Sequence, residues 1–344
     1  GAPTALEAEV SGEIIKRVPS VDKVRYTNSG TEASLHVTRL VRNVTGKPKV
    51  AKFEGAYHGS HDALEISVSP DLDKAGSSDT PRSIASWDGI AVGAEKDVVI
   101  LPYNQPESVE LILRQNRDDI AAVFYDGKPG MLDVPDEFTH FVRKVTKELG
   151  LLMVMDEVVS FRVGYSGYQG VVGVDPDLTL FGKIVGGGFP AGAFGGRSDL
   201  MDVLDNSKPS LSLNQSGSFS GHPFSLAAAM ATLTALTPEV YDRLDCLRIR
   251  LHSGLADVFT RADIPCQVLS AGSLVNFYLT DRPVRDYRSL ASTDKALFNR
   301  IVLGLLTEGY YIGAPGMSMC LSSPMDEEQI DGLLVALGSV LQAE

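Results

Sequence analysis

Two residues of opposite charge, Asp156 and Lys183, carry the first chemistry this chain suggests. They lie in the stretch Leu151 to Gly188, LLMVMDEVVSFRVGYSGYQGVVGVDPDLTLFGKIVGGG. Its opening run, Leu151 to Met155, is apolar and short, the pattern of a buried parallel strand, and it ends in Asp156-Glu157. A second run, Leu178 to Phe181, leads into Gly182-Lys183 and on to three consecutive glycines. In open α/β sheets ligands bind at the carboxyl ends of the strands, so both residues fall at one sheet edge, about one βαβ length apart. A carboxylate and an amine placed that way can hold the two ends of a cofactor ring. The plain alternatives are a helix-capping aspartate and a solvated turn lysine. A phosphate-binding P-loop is excluded: Asp177 stands where its first Gly belongs, and Ile184 where Ser or Thr must follow the Lys.

Two further stretches could serve the same site. Val24 to Thr27 reads as a strand that feeds Asn28-Ser29-Gly30-Thr31-Glu32-Ala33, and a helix follows to about Val44. Strand, Ser-Gly-Thr, then helix suits an anion, because the glycine admits the backbone and the hydroxyls and free N–H groups face the ligand. An ordinary N-cap uses the same residue types. Val50 to Phe53 reads as another strand, running into Glu54-Gly55-Ala56-Tyr57-His58-Gly59-Ser60-His61-Asp62. The spacing of His58, His61 and Asp62 matches no zinc signature, so a metal is not expected. Tyr57 reads better as a ring that stacks on a flat ligand.

The elements around these residues alternate. Val98 to Leu101 and Ala121 to Tyr125 read as buried strands with a helix near Glu107 to Asn116 between them. Asp126-Gly127-Lys128-Pro129-Gly130 then puts polar groups at a carboxyl edge again, and Asp136 to Leu149 reads as a helix stopped by Gly150. Residues 66 to 97 read as a long polar loop holding the single tryptophan, Trp87. The fold expected is therefore α/β with a mostly parallel central sheet flanked by helices. From Pro265 onward the βαβ series ends and a smaller α+β domain is expected. The domain reading is an N-terminal helix in 1–22, a large domain in 23–237 and a small C-terminal domain in 238–344.

Composition bounds the rest. The 344 residues suffice for a sizeable core, and the net charge of −13 argues against a nucleic-acid or anionic-membrane surface. Cys246, Cys266 and Cys320 are odd in number and far apart, which fits a reducing, cytoplasmic setting rather than a disulfide framework. No apolar run approaches the roughly 20 residues of a membrane span, and no signal peptide is visible. The chain opens Gly-Ala-Pro-Thr without Met, as expected if something was removed or if numbering starts partway into a longer product.

Taken in order, these motifs resemble the class III aminotransferases, pyridoxal 5'-phosphate (PLP) enzymes of fold type I, with the glutamate-1-semialdehyde aminomutase group as the nearest branch. The matching segments are NSGTEA from Asn28, KFEGAYHG from Lys52, MDEV from Met155 and PDLTLFGKIVGGGFPAGAFGG from Pro176, with GSFSGHP from Gly217 a weaker match. The resemblance implies that Lys183 forms the Schiff base with PLP and later moves the substrate proton as a free amine. Asp156 would pair with the pyridinium nitrogen, Val158 would pack on one ring face and Tyr57 stack on the other, beside His58. Ser29, Gly30 and Thr31 would cradle the phosphate. Ser218, where the family usually has Thr, would reach the phosphate of the neighbouring subunit, which implies a homodimer with shared active sites. The family carries a further segment ahead of the position Gly1 occupies, and that segment helps build the small domain and one wall of the site. Three departures stand out: Asp126-Gly127 replaces the usual Glu-Pro, His222 stands where Asn is usual, and the gating sequence of true aminomutases is missing from 66–97. A shorter carboxylate at Asp126 would still orient the cofactor.

The leading expectation is an aminotransferase that moves nitrogen from an amino acid or amine to a keto acid or aldehyde. An aminomutase, which shifts nitrogen within one substrate, is the runner-up, and the missing gating sequence favours the former. A PLP-fold scaffold without turnover is the alternative of another class, and the presence of both Lys183 and Asp156 argues against it. A dinucleotide enzyme would need G-x-G-x-x-G directly after a strand, which Gly186 to Gly188 do not supply. Arg25, Arg162 and Arg197 all lie near the motifs and are candidates for a substrate carboxylate.

Overall fold

The computed structural model describes residues 3–128, 131–205, 207, 213–313 and 317–342. The chain divides into two compact units, one of residues 1–127 and 134–236, the other of residues 128–133 and 237–344.

In the first unit the elements are α1 (Ala5–Arg17), β1 (Lys23–Thr27), α2 (Gly30–Thr45), β2 (Lys49–Phe53), β3 (Val98–Leu101), α3 (Pro106–Gln115) and β4 (Ile120–Tyr125). They continue with α4 (Asp136–Leu149), β5 (Leu152–Asp156), α5 (Gly167–Val172), β6 (Leu178–Gly182), β7 (Gly192–Gly196), α6 (Ser198–Met201) and α7 (Pro223–Ala235). One seven-stranded sheet runs in the order β1-β7-β6-β5-β4-β2-β3. Strands β2 to β6 pair in parallel, and β7 and β1 add an antiparallel edge.

The sheet is buried on both faces, which is why its strands read as unbroken apolar runs rather than alternating ones. On one face, Ala33, Val37, Leu40 and Val41 of α2 pack on Val50, Phe124, Val154, Leu180 and Phe194. On the other, Val10 and Ile14 of α1 and Leu226, Ala229 and Leu233 of α7 pack on Phe181 and Ala193. Neighbouring residues of one strand, Leu180 and Phe181, thus serve opposite cores, as the two-residue period of a strand requires. Phe53, Tyr103, Tyr125 and Phe138 form a buried aromatic cluster in which α4 contributes Phe138.

Register fixes what meets at the edge. Gly182 lies opposite Gly192, and Thr27 opposite Gly192 from the other side, so the ends of β6 and β1 flank the start of β7. Asp156 lies opposite Leu180. The carboxyl ends of β2, β4, β5 and β6 accordingly open on one edge.

The long polar stretch read in 66–97 is more ordered than its composition suggests. Isolated bridges join Ile66 to Ala85 and Gly76 to Pro81, and Ile66 and Ala75 are buried.

The second unit holds α8 (Pro238–Arg261), β8 (Gln267–Ala271), β9 (Leu274–Tyr278), α9 (Tyr287–Ala291), α10 (Lys295–Thr307), β10 (Met319–Cys320) and α11 (Glu327–Gln342). Its antiparallel sheet runs β10-β9-β8 and packs on α8, α10 and α11 through Leu251, Leu255, Phe277, Ile301 and Leu337. Strand β8 and helix α9 are additions to the sequence reading. Ala271 pairs with Leu274 across Gly272-Ser273, a two-residue hairpin loop in which Gly272 takes φ 55°.

Among the described residues no helix is long and apolar enough to cross a membrane, and no group of three or more His, Cys, Asp or Glu is placed to hold a metal ion.

Candidate active site

At the carboxyl edge of the large sheet lies a cavity of about 290 Å³ lined by Ser29, Gly30, Thr31, Tyr57, His58, Asp126, Asp156, Val158 and Lys183. Five separate strand ends, those of β1, β2, β4, β5 and β6, deliver these side chains. The structure thus brings together nine of the ten site residues expected from sequence. The tenth, Ser218, lines a different polar cavity with Arg25, Tyr26 and Gln215.

Ser29 caps α2: its Oγ accepts the Glu32 N–H at 3.2 Å, and Glu32 Oε2 accepts the Asn28 N–H at 2.9 Å. The cap and the anion cradle are compatible readings, since a hydroxyl that accepts one hydrogen bond still has a proton to donate. The Gly30 and Thr31 N–H groups at the first turn find no acceptor among the described residues, and they line the cavity. Glycine is required here by contact. A Cβ on Gly30 would lie 2.8 Å from Val158 Cγ2, and one on Gly182 would lie 3.2 Å from Val158 Cγ1, so Val158 is wedged between the two.

Asp156 is fixed on both oxygens. Its Oδ1 accepts the Val158 N–H at 2.9 Å, and its Oδ2 lies 2.8 Å from His58 Nδ1. Burial pushes the His58 imidazole below its ordinary value, against the pull of Asp156. A neutral ring beside a carboxylate that can only accept carries its proton on Nδ1. Its Nε2 is buried without a partner among the described residues. Glu157, the next residue, faces inward and accepts from Ser160 Oγ and from the Tyr168 and Gln169 N–H groups, which anchors the turn after β5.

Lys183 occupies the left-handed region with φ 48°, a conformation that costs a non-glycine residue about 1–3 kcal/mol. Its amine makes no hydrogen bond or ion pair with the described residues. Lys183 is exposed and lines the cavity with an amine that has no partner among the described residues.

Sequence reasoning singled out none of Asn28, Gly59, Val159, Phe189, Pro190 and Ala191, which also line the cavity. The Phe189-Pro190-Ala191 run follows the three glycines directly, and that adjacency was the available signal. The arginines sort differently. None of Arg25, Arg162 and Arg197 is among the cavity's lining residues. Arg197 is engaged with Asp177 and Asp199, and Arg25 Nε donates to Gln215. Pro129 and Gly130, at the end of the polar stretch after β4, lie outside the described residues.

Lys52 is a second lysine of note. It is fully buried, and its Nζ donates to the carbonyls of Ile66 at 2.6 Å and Leu64 at 3.2 Å. It thereby ties β2 to the far end of the loop that carries Tyr57 and His58. Burial pushes its ammonium down to about 7 from the ordinary 10.5, with Glu65 acting the other way. Between those two values the unfolded chain holds a proton that the folded chain does not, so the Lys52 contribution to stability rises with pH across that window. Relative to Lys52→Met, the parent should gain up to about 1.4 kcal/mol of unfolding free energy per pH unit from pH 7.5 to 9.5. Parallel denaturation curves for the two proteins over that range would refute it.

Known proteins resemble this chain along nearly its whole length. The aminotransferase class-III family matches residues 1–341. The chain is 38% identical over 316 residues to glutamate-1-semialdehyde 2,1-aminomutase 1 of Staphylococcus epidermidis, covering 91% of this chain and 72% of that protein. Among solved structures, an omega-transaminase from Sphaerobacter thermophilus superposes with a TM-score of 0.95 at 36% identity, over 99% of this chain and 79% of that one. A transaminase with PLP bound gives a TM-score of 0.88 at 32% identity, over 100% of this chain and 78% of that one.

Proposed function

The chain belongs to the class-III aminotransferase family, and we propose that it is a PLP-dependent aminotransferase that moves an amino group from an amino acid or amine to a keto acid or aldehyde. The observation that carries this reading is one cavity holding Lys183, Asp156 and the start of α2 together. The donor set fits the cofactor. A helix start with unused N–H groups suits a phosphate, Val158 and Tyr57 offer two walls for a flat ring, and a buried carboxylate suits a ring N–H.

When bound, PLP supplies an electron sink for charge on the substrate carbon and carries nitrogen between donor and acceptor. Lys183 is proposed as the covalent anchor. Once released, its Nζ would take the proton from the carbon bearing the substrate amino group and deliver it to the cofactor carbon on the other side of that nitrogen. Asp156 holds the ring nitrogen protonated, and His58 Nδ1–H keeps that carboxylate oriented. Ser29, Gly30 and Thr31 hold the phosphate. Asp126 orients the ring from the end of β4. The first compact unit serves as the cofactor-binding domain and the second as the small domain.

A homodimer is part of the proposal. Ser218 lies in the turn just ahead of α7, beside Phe219 and Phe224, which are 67% and 72% exposed. Two large exposed apolar rings flanking a polar turn suit an interface with a second copy. The acidic chain and three unpaired cysteines suit a cytoplasmic setting.

The aminomutase reading is favoured by a specific observation, the 36–38% identity to glutamate-1-semialdehyde aminomutases over 91–99% of the chain. One experiment addresses both readings. The protein loaded with PLP should show a visible band that borohydride fixes on Lys183, and a single amino donor should remove the band without acceptor. Repeated turnover with a separate keto acid or aldehyde identifies an aminotransferase, and isomerisation of one amino aldehyde without acceptor identifies an aminomutase. No covalent attachment at Lys183 would sink the reading, and sedimentation of the loaded protein as a monomer would sink the shared-site dimer.

A further inference from the structure

Strand β4 ends at Tyr125, and the next two residues are Asp126, which lines the cavity, and Gly127. A Cβ on Gly127 would fall 1.9 Å from Cε1, 2.4 Å from Cδ1 and 2.7 Å from Cζ of Tyr168. That ring cannot step aside cheaply. Tyr168 is 1% exposed, and its hydroxyl lies 2.8 Å from Thr139 Oγ1 and donates to Asp136 Oδ1 at 3.2 Å. Thr139 Oγ1 is in turn 2.6 Å from the Tyr125 hydroxyl. The strand end is gripped from another side too, because the buried Tyr103 hydroxyl donates to the Asp126 carbonyl at 2.8 Å.

The other end of Tyr168 belongs to β5. Its backbone N–H donates to Glu157 Oε2 at 3.1 Å, and the Gln169 N–H donates to Oε1 at 2.8 Å. Glu157 directly follows Asp156, whose own carboxylate lines the cavity. Tyr168 therefore touches the residue after each of the two cavity carboxylates, by its ring at Gly127 and by its backbone at Glu157.

We infer that Tyr168 is a positioning residue that fixes the spacing of the Asp126 and Asp156 carboxylates, with Gly127 as the seat its ring requires. The inference rests on the PLP reading of the cavity. Because Asp126 is short, little reach is available to compensate for a displaced backbone. Displacements of about 1 Å in such settings cost up to about 100-fold.

The test is a double-mutant cycle read as the dissociation constant of PLP, followed by absorbance and by the wavelength of the bound band. Gly127→Ala and Tyr168→Ala should each weaken PLP at least about tenfold and shift the band, and the double variant should lose no more than about threefold beyond Tyr168→Ala alone, because neighbouring sites couple. If Gly127→Ala does not fold, the Tyr168→Ala background carries the test: adding Gly127→Ala there should change PLP affinity by less than about threefold. Parent-like PLP binding and band position in Gly127→Ala or in Tyr168→Ala overturns the inference, and so does a double variant whose loss is the product of the two single losses. Failure of the parent protein itself to bind PLP counts against the PLP reading, and the inference falls with it. A parent that binds while the cycle shows no coupling overturns the inference alone.

Discussion

Lys183→Ala is expected to lower amino transfer by at least about 10³-fold, since it removes both the proposed covalent anchor and the proposed proton carrier. The rest of the cavity does not depend on this amine. Asp156 is held by His58 and by the Val158 N–H, and Ser29 by the Glu32 N–H, none of which involves Lys183. PLP should therefore still bind to Lys183→Ala, without becoming fixed to the chain by borohydride. Lys183→Arg should not restore turnover, because a guanidinium stays protonated and cannot accept the substrate proton. Stability should change little in either variant, because the amine has no partner to lose among the described residues and the backbone at φ 48° is retained. The measurement is single-turnover loss of the visible band alongside steady-state transfer. Retention of more than about a tenth of parental turnover in Lys183→Ala would remove the lysine from the mechanism.

The strands that position this site were legible because of where they lie. A strand buried on both faces has no polar alternation to blur it, so Leu152–Asp156 and Leu178–Gly182 stand out as short apolar runs ending in polar residues. The Ser29 cap was legible for a local reason, a hydroxyl followed three residues later by Glu32. Strand β8 escaped because every position from Gln267 to Ala271 is only half-buried, which leaves neither a run nor an alternation. Contacts between distant segments escaped in principle. His58 meets Asp156 across 98 positions of sequence because β2 and β5 end at the same sheet edge, and no local pattern encodes strand order. Arg197 illustrates the converse. Its place beside the glycine-rich motif made it a candidate for a substrate carboxylate, yet the fold engages it with Asp177 and Asp199. The Asp126-Gly127 pair looked like a mere departure from the family pattern until Tyr168, 41 positions on, proved to fill the space a side chain at 127 would need.

Asp156→Asn is expected to lower kcat by about 10²- to 10³-fold, the size found when one preorganised electrostatic partner of a reacting group is lost. The asparagine is nearly isosteric: its oxygen can still accept the Val158 N–H, while its NH2 faces His58 Nδ1, which accepts once the ring proton sits on Nε2, and the cavity keeps its shape. What disappears is the negative charge. Asp156 has a side chain only 7% exposed, and its hydrogen-bond donors within the protein, His58 and the Val158 amide, carry no full positive charge when His58 is neutral. A buried carboxylate so placed is costly unless something cationic completes it. A protonated ring nitrogen would do so. With an amide in its place the ring nitrogen would lose its reason to hold a proton, and the electron sink that PLP supplies would weaken, while Ser29, Gly30 and Thr31 would still hold the phosphate. Loss should therefore concentrate in kcat per loaded site, with PLP affinity reduced less than about tenfold, since the phosphate cradle supplies binding that is independent of charge at the ring. The protein without cofactor should move the other way: removing an uncompensated buried charge leaves Asp156→Asn at least as heat-stable as the parent. Opposite signs in turnover and in stability of the empty protein distinguish an electrostatic partner from a structural one. A variant that loses stability and PLP affinity together, with kcat per loaded site intact, would reduce Asp156 to an anchor.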